Sequence, residues 1–330
     1  GGSEIKKVFI TGGAGYVGSA LVPSLLAKGY EVVVYDLYIY GDVFNGIKDK
    51  KLTEIKGDIR DKEKIVAAAK NSDAIIHLAC ISNDPSFELD PGLGKSINFD
   101  AFYNVMEAAR ANKVKRFVYA STSSVYGIKS EKNVAEEASL EPLTDYSKFK
   151  AECERVLQEK GDNVEWVIIR PATVCGYAPR LRLDVVVNIL TINALINKKI
   201  KIFGGGQLRP NINIKDMVKA YELLLEAPSE KINRQIFNAG YQNLSVAEIA
   251  NIVKRLCGDE VVLEIVPTND KRSYHINSDK IKKVLGFTPQ FTVEEAVQSL
   301  IRAFKEGLIK DGLNNSAYYN IKRMQELKLK

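Results

Sequence analysis

The sequence is poor in the residues that build metal centres and disulfide frameworks. It holds two histidines, His77 and His275, and four cysteines, Cys80, Cys153, Cys175 and Cys257, in 330 residues. The cysteines are far apart and form no CxxC pair, which argues against a zinc site and a disulfide scaffold and fits a reducing compartment. No metal is therefore expected. No apolar run approaches the roughly 18–20 residues that a membrane span needs, so no membrane partner is expected. Blocks of like charge are missing too, since lysines occur singly or in pairs such as Lys198-Lys199 and Lys282-Lys283. The formal charge of +6 then reads as a lysine-solvated surface, with no nucleic-acid partner expected. No basic segment followed by an apolar stretch opens the sequence, and a cytoplasmic location is expected.

What remains is an ordinary globular composition. With 45% hydrophobic and 27% charged residues, disorder, collagen and coiled coil are excluded as the main architecture. The first half alternates apolar β-rich runs (Lys7–Thr11, Glu31–Asp36, Leu52–Ile55, Ala74–Leu78, Arg116–Ser121, Val164–Arg170) with helical segments near Tyr16–Lys28, Asp61–Asn71, Asn98–Asn112 and Thr144–Lys160. Near-continuous apolar strands joined by helices imply right-handed crossovers, hence an α/β fold with a Rossmann-type doubly wound parallel sheet. After Arg170 the alternation loosens. Asp184–Asn197 and Lys215–Ala227 read as helices and Lys199–Phe203 as a strand before a Gly204-Gly205-Gly206 turn. Ser245 with Glu248, and Thr292 with Glu295, are capping boxes that open two more helices. The second half is expected to be a smaller α+β substrate-binding domain, with the division at residues 4–176 and 177–330 and segments free to interleave. The pattern after Gly312 assigns no element.

Gly12, Gly15 and Gly18 form a GxxGxxG between the first strand and the first helix. The first glycine permits the tight turn, the second lets the backbone approach a pyrophosphate, and the third lets helix pack on strand. The helix start at Tyr16 and Val17 offers N–H groups to phosphate. Asp36 ends the second strand, where a carboxylate accepts the adenosine ribose hydroxyls and repels a 2′-phosphate, so NAD is the expected cofactor. Asp58 and Ile59 follow the third strand and Leu78 and Ala79 the fourth, completing an expected cofactor rim with Asn98. Tyr146 and Lys150 lie four apart on a helix and face the same way. A nearby ammonium favours tyrosinate, which makes Tyr146 a plausible base toward a sugar hydroxyl. Ser121 to Gly127 ends the fifth strand at the same sheet edge as the glycine loop.

Thr11–Gly18 (TGGAGYVG), His77–Ala79 (HLA), Ser121–Gly127 (STSSVYG) and Tyr146–Lys150 (YSKFK), in this order, resemble the extended short-chain dehydrogenases/reductases, mostly nucleotide-sugar epimerases, dehydratases and reductases. That resemblance implies a catalytic set of Thr122, Tyr146 and Lys150, with Tyr146 and Lys150 also touching the cofactor. Arg209–Asp216 and Asp270–Tyr274 resemble family segments whose arginines approach a substrate diphosphate, which implies Arg209 and Arg272 in a clamp. The implied substrate is a nucleotide-diphosphate sugar, bound by Ser82, Asn83, Thr122, Ser123, Thr173, Arg180, Arg182, Asn188, Arg209 and Arg272. The resemblance also implies a homodimer in which the helices Asn98–Asn112 and Thr144–Lys160 pair with their copies in a four-helix bundle.

Within the family, 4,6-dehydratases follow the catalytic Thr with Asp-Glu. Ser123 and Ser124 stand there instead, and neither hydroxyl is a useful acid or base near neutral pH, which disfavours dehydration. C4 epimerisation through a transient 4-keto sugar is the expected reaction. The Pro179–Asp184 stretch (PRLRLD) also resembles a branch with GDP-heptose 4-dehydrogenases, so a 4-dehydrogenase or 4-ketoreductase stays open. So does a non-catalytic NAD-binding scaffold.

Overall fold

In the computed structural model, which describes residues 4–81, 90–131, 133–270 and 272–328, the first half folds into six strands. They are β1 (Lys7–Thr11), β2 (Glu31–Asp36), β3 (Leu52–Lys56), β4 (Ala74–His77), β5 (Arg116–Ala120) and β6 (Glu165–Pro171). The second half adds β7 (Thr173–Cys175), β8 (Lys199–Phe203), β9 (Leu208–Asn213), β10 (Gln235–Ala239), β11 (Gln242–Ser245) and β12 (Val262–Val266). The main sheet runs β3-β2-β1-β4-β5-β6-β10, with every neighbouring pair parallel.

Alternate side chains of each central strand serve two cores, which is why these strands read as unbroken apolar runs. Val8, Ile10, Val32 and Val34 pack on one face with the helices Tyr16–Ala27 and Ile214–Glu226. Phe9, Val33, Tyr35 and Ile75 pack on the other with Phe102–Ala111 and Asp145–Lys160. From β1 the strand order runs outward to β2 and β3 on one side and to β4, β5 and β6 on the other, so it switches direction between β1 and β4. A crevice opens there at the carboxyl ends of the strands, where open α/β sheets bind ligands.

The second half builds a three-stranded sheet, β11-β9-β7, and a two-stranded one, β12-β8. It also returns β10 and the Ile214–Glu226 helix to the main sheet. Four features depart from the sequence pattern. Leu208–Asn213 carries Pro210 and two asparagines, a turn-like composition, yet it is the middle strand β9. Its neighbours absorb the polar groups: Asn213 caps the next helix by accepting from Lys215 N (3.0 Å) and donates to Thr292 O (3.1 Å). The helix expected from Asn98 begins only at Phe102, because Asn98 lies in a π-turn at Ser96–Asp100, where its amide bonds both Ile81 N and Ile81 O. The helix expected from Asp184 begins at Val186, because Asp184 is engaged by Arg182 (2.6 Å) and by Asn320 N (3.0 Å). Beyond Gly312, Asn320–Leu327 forms a helix. No helix among the described residues is long and apolar enough to cross a membrane.

Candidate active site

The crevice is a cavity of about 440 Å³ lined from both halves of the chain. At one end the turn after β1 is shaped by close backbone approach. Gly12 has φ +69°, and a Cβ there would sit 2.6 Å from Ala79 N; a Cβ on Gly18 would sit 2.2 Å from Gly13 O. Only glycine satisfies either position. Asp36 closes this end. Its two carboxylate oxygens accept from Ala14 N (3.0 Å) and Tyr38 N (2.7 Å), which fixes the group in place. Burial raises its pKa while those two N–H bonds oppose the shift. The open glycine turn, the helix start and this anchored carboxylate fit an NAD dinucleotide. Asp36→Ala is expected to weaken NAD about 10–100-fold, the loss of charged hydrogen bonds, and to narrow its lead over NADP. Titration of both cofactors by intrinsic fluorescence checks it.

At the other end stand the hydroxyls and the lysine. The Lys150 ammonium donates to Ala120 O (2.8 Å) and is 3% exposed as a residue. It lies 5.2 Å from the centroid of Tyr119 and 6.0 Å from that of Tyr146. Burial pushes the Tyr119 phenol well up, so it stays neutral, and it does not line the cavity. Of the two phenols beside Lys150, Tyr146 is the one that lines the cavity. Thr122 accepts from Ser124 N (3.2 Å) and shares a proton with Ser124 Oγ (3.1 Å). Ser124 Oγ meets Ser147 Oγ (2.7 Å), to which Thr144 donates (3.2 Å). This hydroxyl chain runs beside Tyr146 and includes Ser147, which the motif reading passed over. His77 is no competing base: burial, then the Lys150 charge, pull its pKa down to about 3, and Nδ1 is engaged with Thr11 Oγ1 (2.6 Å).

The cavity brings together Gly12, Gly15, Tyr16, Val17, Gly18, Asp36, Asp58, Ile59, Leu78, Ala79, Thr122, Ser123, Tyr146, Lys150, Thr173, Arg180, Arg182 and Arg209. Three expected residues stand apart from its lining. Asn98 is spent on Ile81. Asn188 is fully buried and ties Gly176 N (3.0 Å) to Arg182 O (2.8 Å) and the Tyr16 hydroxyl (3.1 Å). Arg272 lies outside the lining, in an ion pair with Asp270 (2.8 Å). Arg209 donates to Leu208 O (2.8 Å) and Arg272 O (2.6 Å) beside the Tyr274 ring. Ser82 and Asn83 fall outside the described residues. Tyr274, at the end of the Asp270–Tyr274 segment, lines the cavity, and so do Tyr40, Asn320 and Met324, which no sequence motif marked. Among the described residues no cluster of histidine, cysteine and carboxylates could hold a metal ion.

Comparison with known proteins agrees with the fold and with NAD as the cofactor. The chain is 27% identical to a UDP-glucose 4-epimerase of Lactobacillus helveticus over 86% of this chain and 92% of the relative. It is 28% identical to an uncharacterized UDP-glucose epimerase of Bacillus subtilis over 89% and 96%. Among solved structures, the UDP-glucose 4-epimerase of Thermotoga maritima with UDP-glucose superposes with a TM-score of 0.81 at 25% identity, covering 92% of this chain and 99% of that one. MoeE5, solved with UDP-glucuronic acid and NAD, superposes with a TM-score of 0.79 at 28% identity, covering 91% and 99%. Residues 8–240 match the profile of one family, and on that match the chain belongs to the NAD dependent epimerase/dehydratase family.

Proposed function

We propose that the protein is a nucleotide-sugar epimerase that inverts C4 through a transient 4-keto sugar. The observation that carries this reading is a single cavity holding Tyr146, Lys150 and Thr122 with Ser123 and Ser124, rather than an acid–base pair, after Thr122. Bound NAD supplies the oxidising and then the reducing equivalent at the sugar carbon. Tyr146 takes the proton from the C4 hydroxyl and later returns it. Lys150 favours the ionised phenol and Thr122 bonds the oxygen whose proton moves. Arg209 lines the cavity from β9 in the second half of the chain, and its guanidinium supports binding of a nucleoside diphosphate there.

The test follows absorbance near 340 nm while UDP-, GDP-, dTDP- and CDP-hexoses are added, with the sugars then analysed. Inverted sugar without lasting NADH supports the proposal. Accumulating NADH with a released ketone would identify a 4-dehydrogenase, and no reaction with any sugar a non-catalytic binder.

We also propose that two copies pair through the helices Phe102–Ala111 and Asp145–Lys160. Tyr103 is 42% exposed there, and a groove of about 200 Å³ runs between the helices past Met106 and Leu157. Sedimentation of a dimer is expected; a monomer at micromolar concentration refutes it.

A further inference from the structure

The stretch after Gly312 runs back across the cavity at its cofactor end. Tyr318 O accepts from Leu183 N (2.9 Å), Asn320 N donates to Asp184 Oδ2 (3.0 Å), and Arg323 Nε donates to Ile39 O (2.5 Å). Met324 is 5% exposed, in the same apolar cluster as Tyr35, Ile59, Ile81 and Ile97. With Asn320 it lines the cavity alongside Asp36 and Ile39. The Asn320–Leu327 helix is thus the outer wall of the end where Asp36 stands.

Behind that wall sits Arg180, 4% exposed. Its backbone N–H donates to Ser19 Oγ (3.0 Å), on the helix that follows the glycine turn. Its guanidinium lies 3.7 Å from the centroid of the Tyr40 ring, and Nη2 donates to Asn320 Oδ1 (2.8 Å). Nε is buried without a hydrogen-bond partner, and Arg180 has no ion pair among the described residues. Burial pulls its pKa down to about 10, so the charge is held against desolvation. Arg180 lines the cavity, and a buried guanidinium with an unmet donor at a cavity wall calls for an anion.

We propose that Arg180 is a phosphate ligand of the bound dinucleotide, held in place by Tyr40 and Asn320, and that the Asn320–Leu327 helix is a wall that must part for the cofactor to leave. Both NAD and a sugar nucleotide carry a diphosphate. Ser19, Tyr40 and Asp36 all belong to the glycine-turn side, whereas Arg209 and Tyr274 belong to the other, and this places Arg180 with the cofactor. The reading rests on the NAD site alone, so it stands or falls apart from epimerisation. A cofactor that leaves slowly suits a reaction in which one sugar is oxidised and reduced in a single visit.

The experiment uses the full chain. NADH affinity and UDP and GDP affinities are measured for Arg180→Met and Arg180→Lys. NADH release into excess NAD+ is timed for the pair Arg323→Ala, Met324→Ser, and hydrogen exchange over residues 313–328 is compared with and without NADH. Arg180→Met is expected to weaken NADH about tenfold or more, with UDP and GDP unchanged and partial rescue in Arg180→Lys. The helix pair is expected to speed NADH release about tenfold, and NADH is expected to slow exchange in the wall. Weaker UDP or GDP with unchanged NADH would assign Arg180 to the substrate and overturn the proposal. So would unaltered release from the helix pair. Should Arg180→Met fail to fold, Arg180→Lys and the helix pair decide it.

Discussion

Tyr146→Phe is expected to lower turnover by about 10²–10⁴-fold, the usual worth of a positioned general base. The substitution removes one oxygen and keeps the ring, so its place in the apolar cluster with Phe117 and Tyr119 survives and stability should move little. The sugar nucleotide should bind nearly as before, because the phenol is not among the groups that hold phosphate. Lys150→Ala should be comparably damaging. It removes the charge beside the phenol and also strips Ala120 O of its donor, so some loss of stability accompanies it. Thr122→Val should cost less, about 1–3 kcal/mol in the barrier, since one hydrogen bond to the reacting oxygen goes. Steady-state turnover together with sugar-nucleotide affinity for the three variants separates these outcomes. Near-normal turnover in Tyr146→Phe would remove Tyr146 from the chemistry.

The parts of this site that were legible in the sequence are those whose physics is local. Gly12 and Gly18 are required by backbone clashes with Ala79 and Gly13, and such demands leave glycines at fixed spacing after a strand. Tyr146 and Lys150 share a helix face by periodicity alone. Asp36 is marked by its place at a strand end. The wall at Asn320 and Met324 carries no such mark. Its helix has no side-chain cap, only eight residues, and a partner surface nearly 300 positions away at Ile39. Arg180 and Arg272 show the same limit from two sides. Both are expected at the substrate from the sequence, yet one is buried at the cavity and the other is ion-paired to Asp270 outside it. The β9 strand was hidden because Pro210 and its asparagines oppose extended structure locally, and only the pairing with β7 and β11 overrides them.

Arg170→Met is expected to be the most destabilising single change, by about 3–5 kcal/mol, because it leaves a carboxylate buried without its counter-charge. Arg170 and Glu154 have side chains 3% and 1% exposed, and Arg170 Nη2 meets Glu154 Oε1 at 2.6 Å. Burial works against the charge on Arg170, yet the bonds to Glu154 and to the Tyr126 oxygen outweigh it and hold its pKa above the ordinary arginine value. The pair does not stand alone. Ser121 Oγ donates to Glu154 (2.5 Å), Arg170 Nη1 donates to Tyr126 Oη (2.8 Å), and Tyr126 donates in turn to Asn238 (2.5 Å). The network therefore fastens β6 to the end of β5, to β10 and to the helix that carries Tyr146 and Lys150. Adding Glu154→Met to Arg170→Met should recover much of the loss, since an apolar pair of similar bulk often replaces a buried ion pair without penalty. Chemical denaturation at fixed cofactor concentration measures both steps, because bound NAD by itself shifts the midpoint. Equal stability of the single and double variants would mean that the loss does not come from stranding Glu154 without its partner. Turnover adds a second readout. If the network sets the position of Lys150, the double variant should regain stability while activity stays low, as Ser121 loses its acceptor and the helix its link to the strand end.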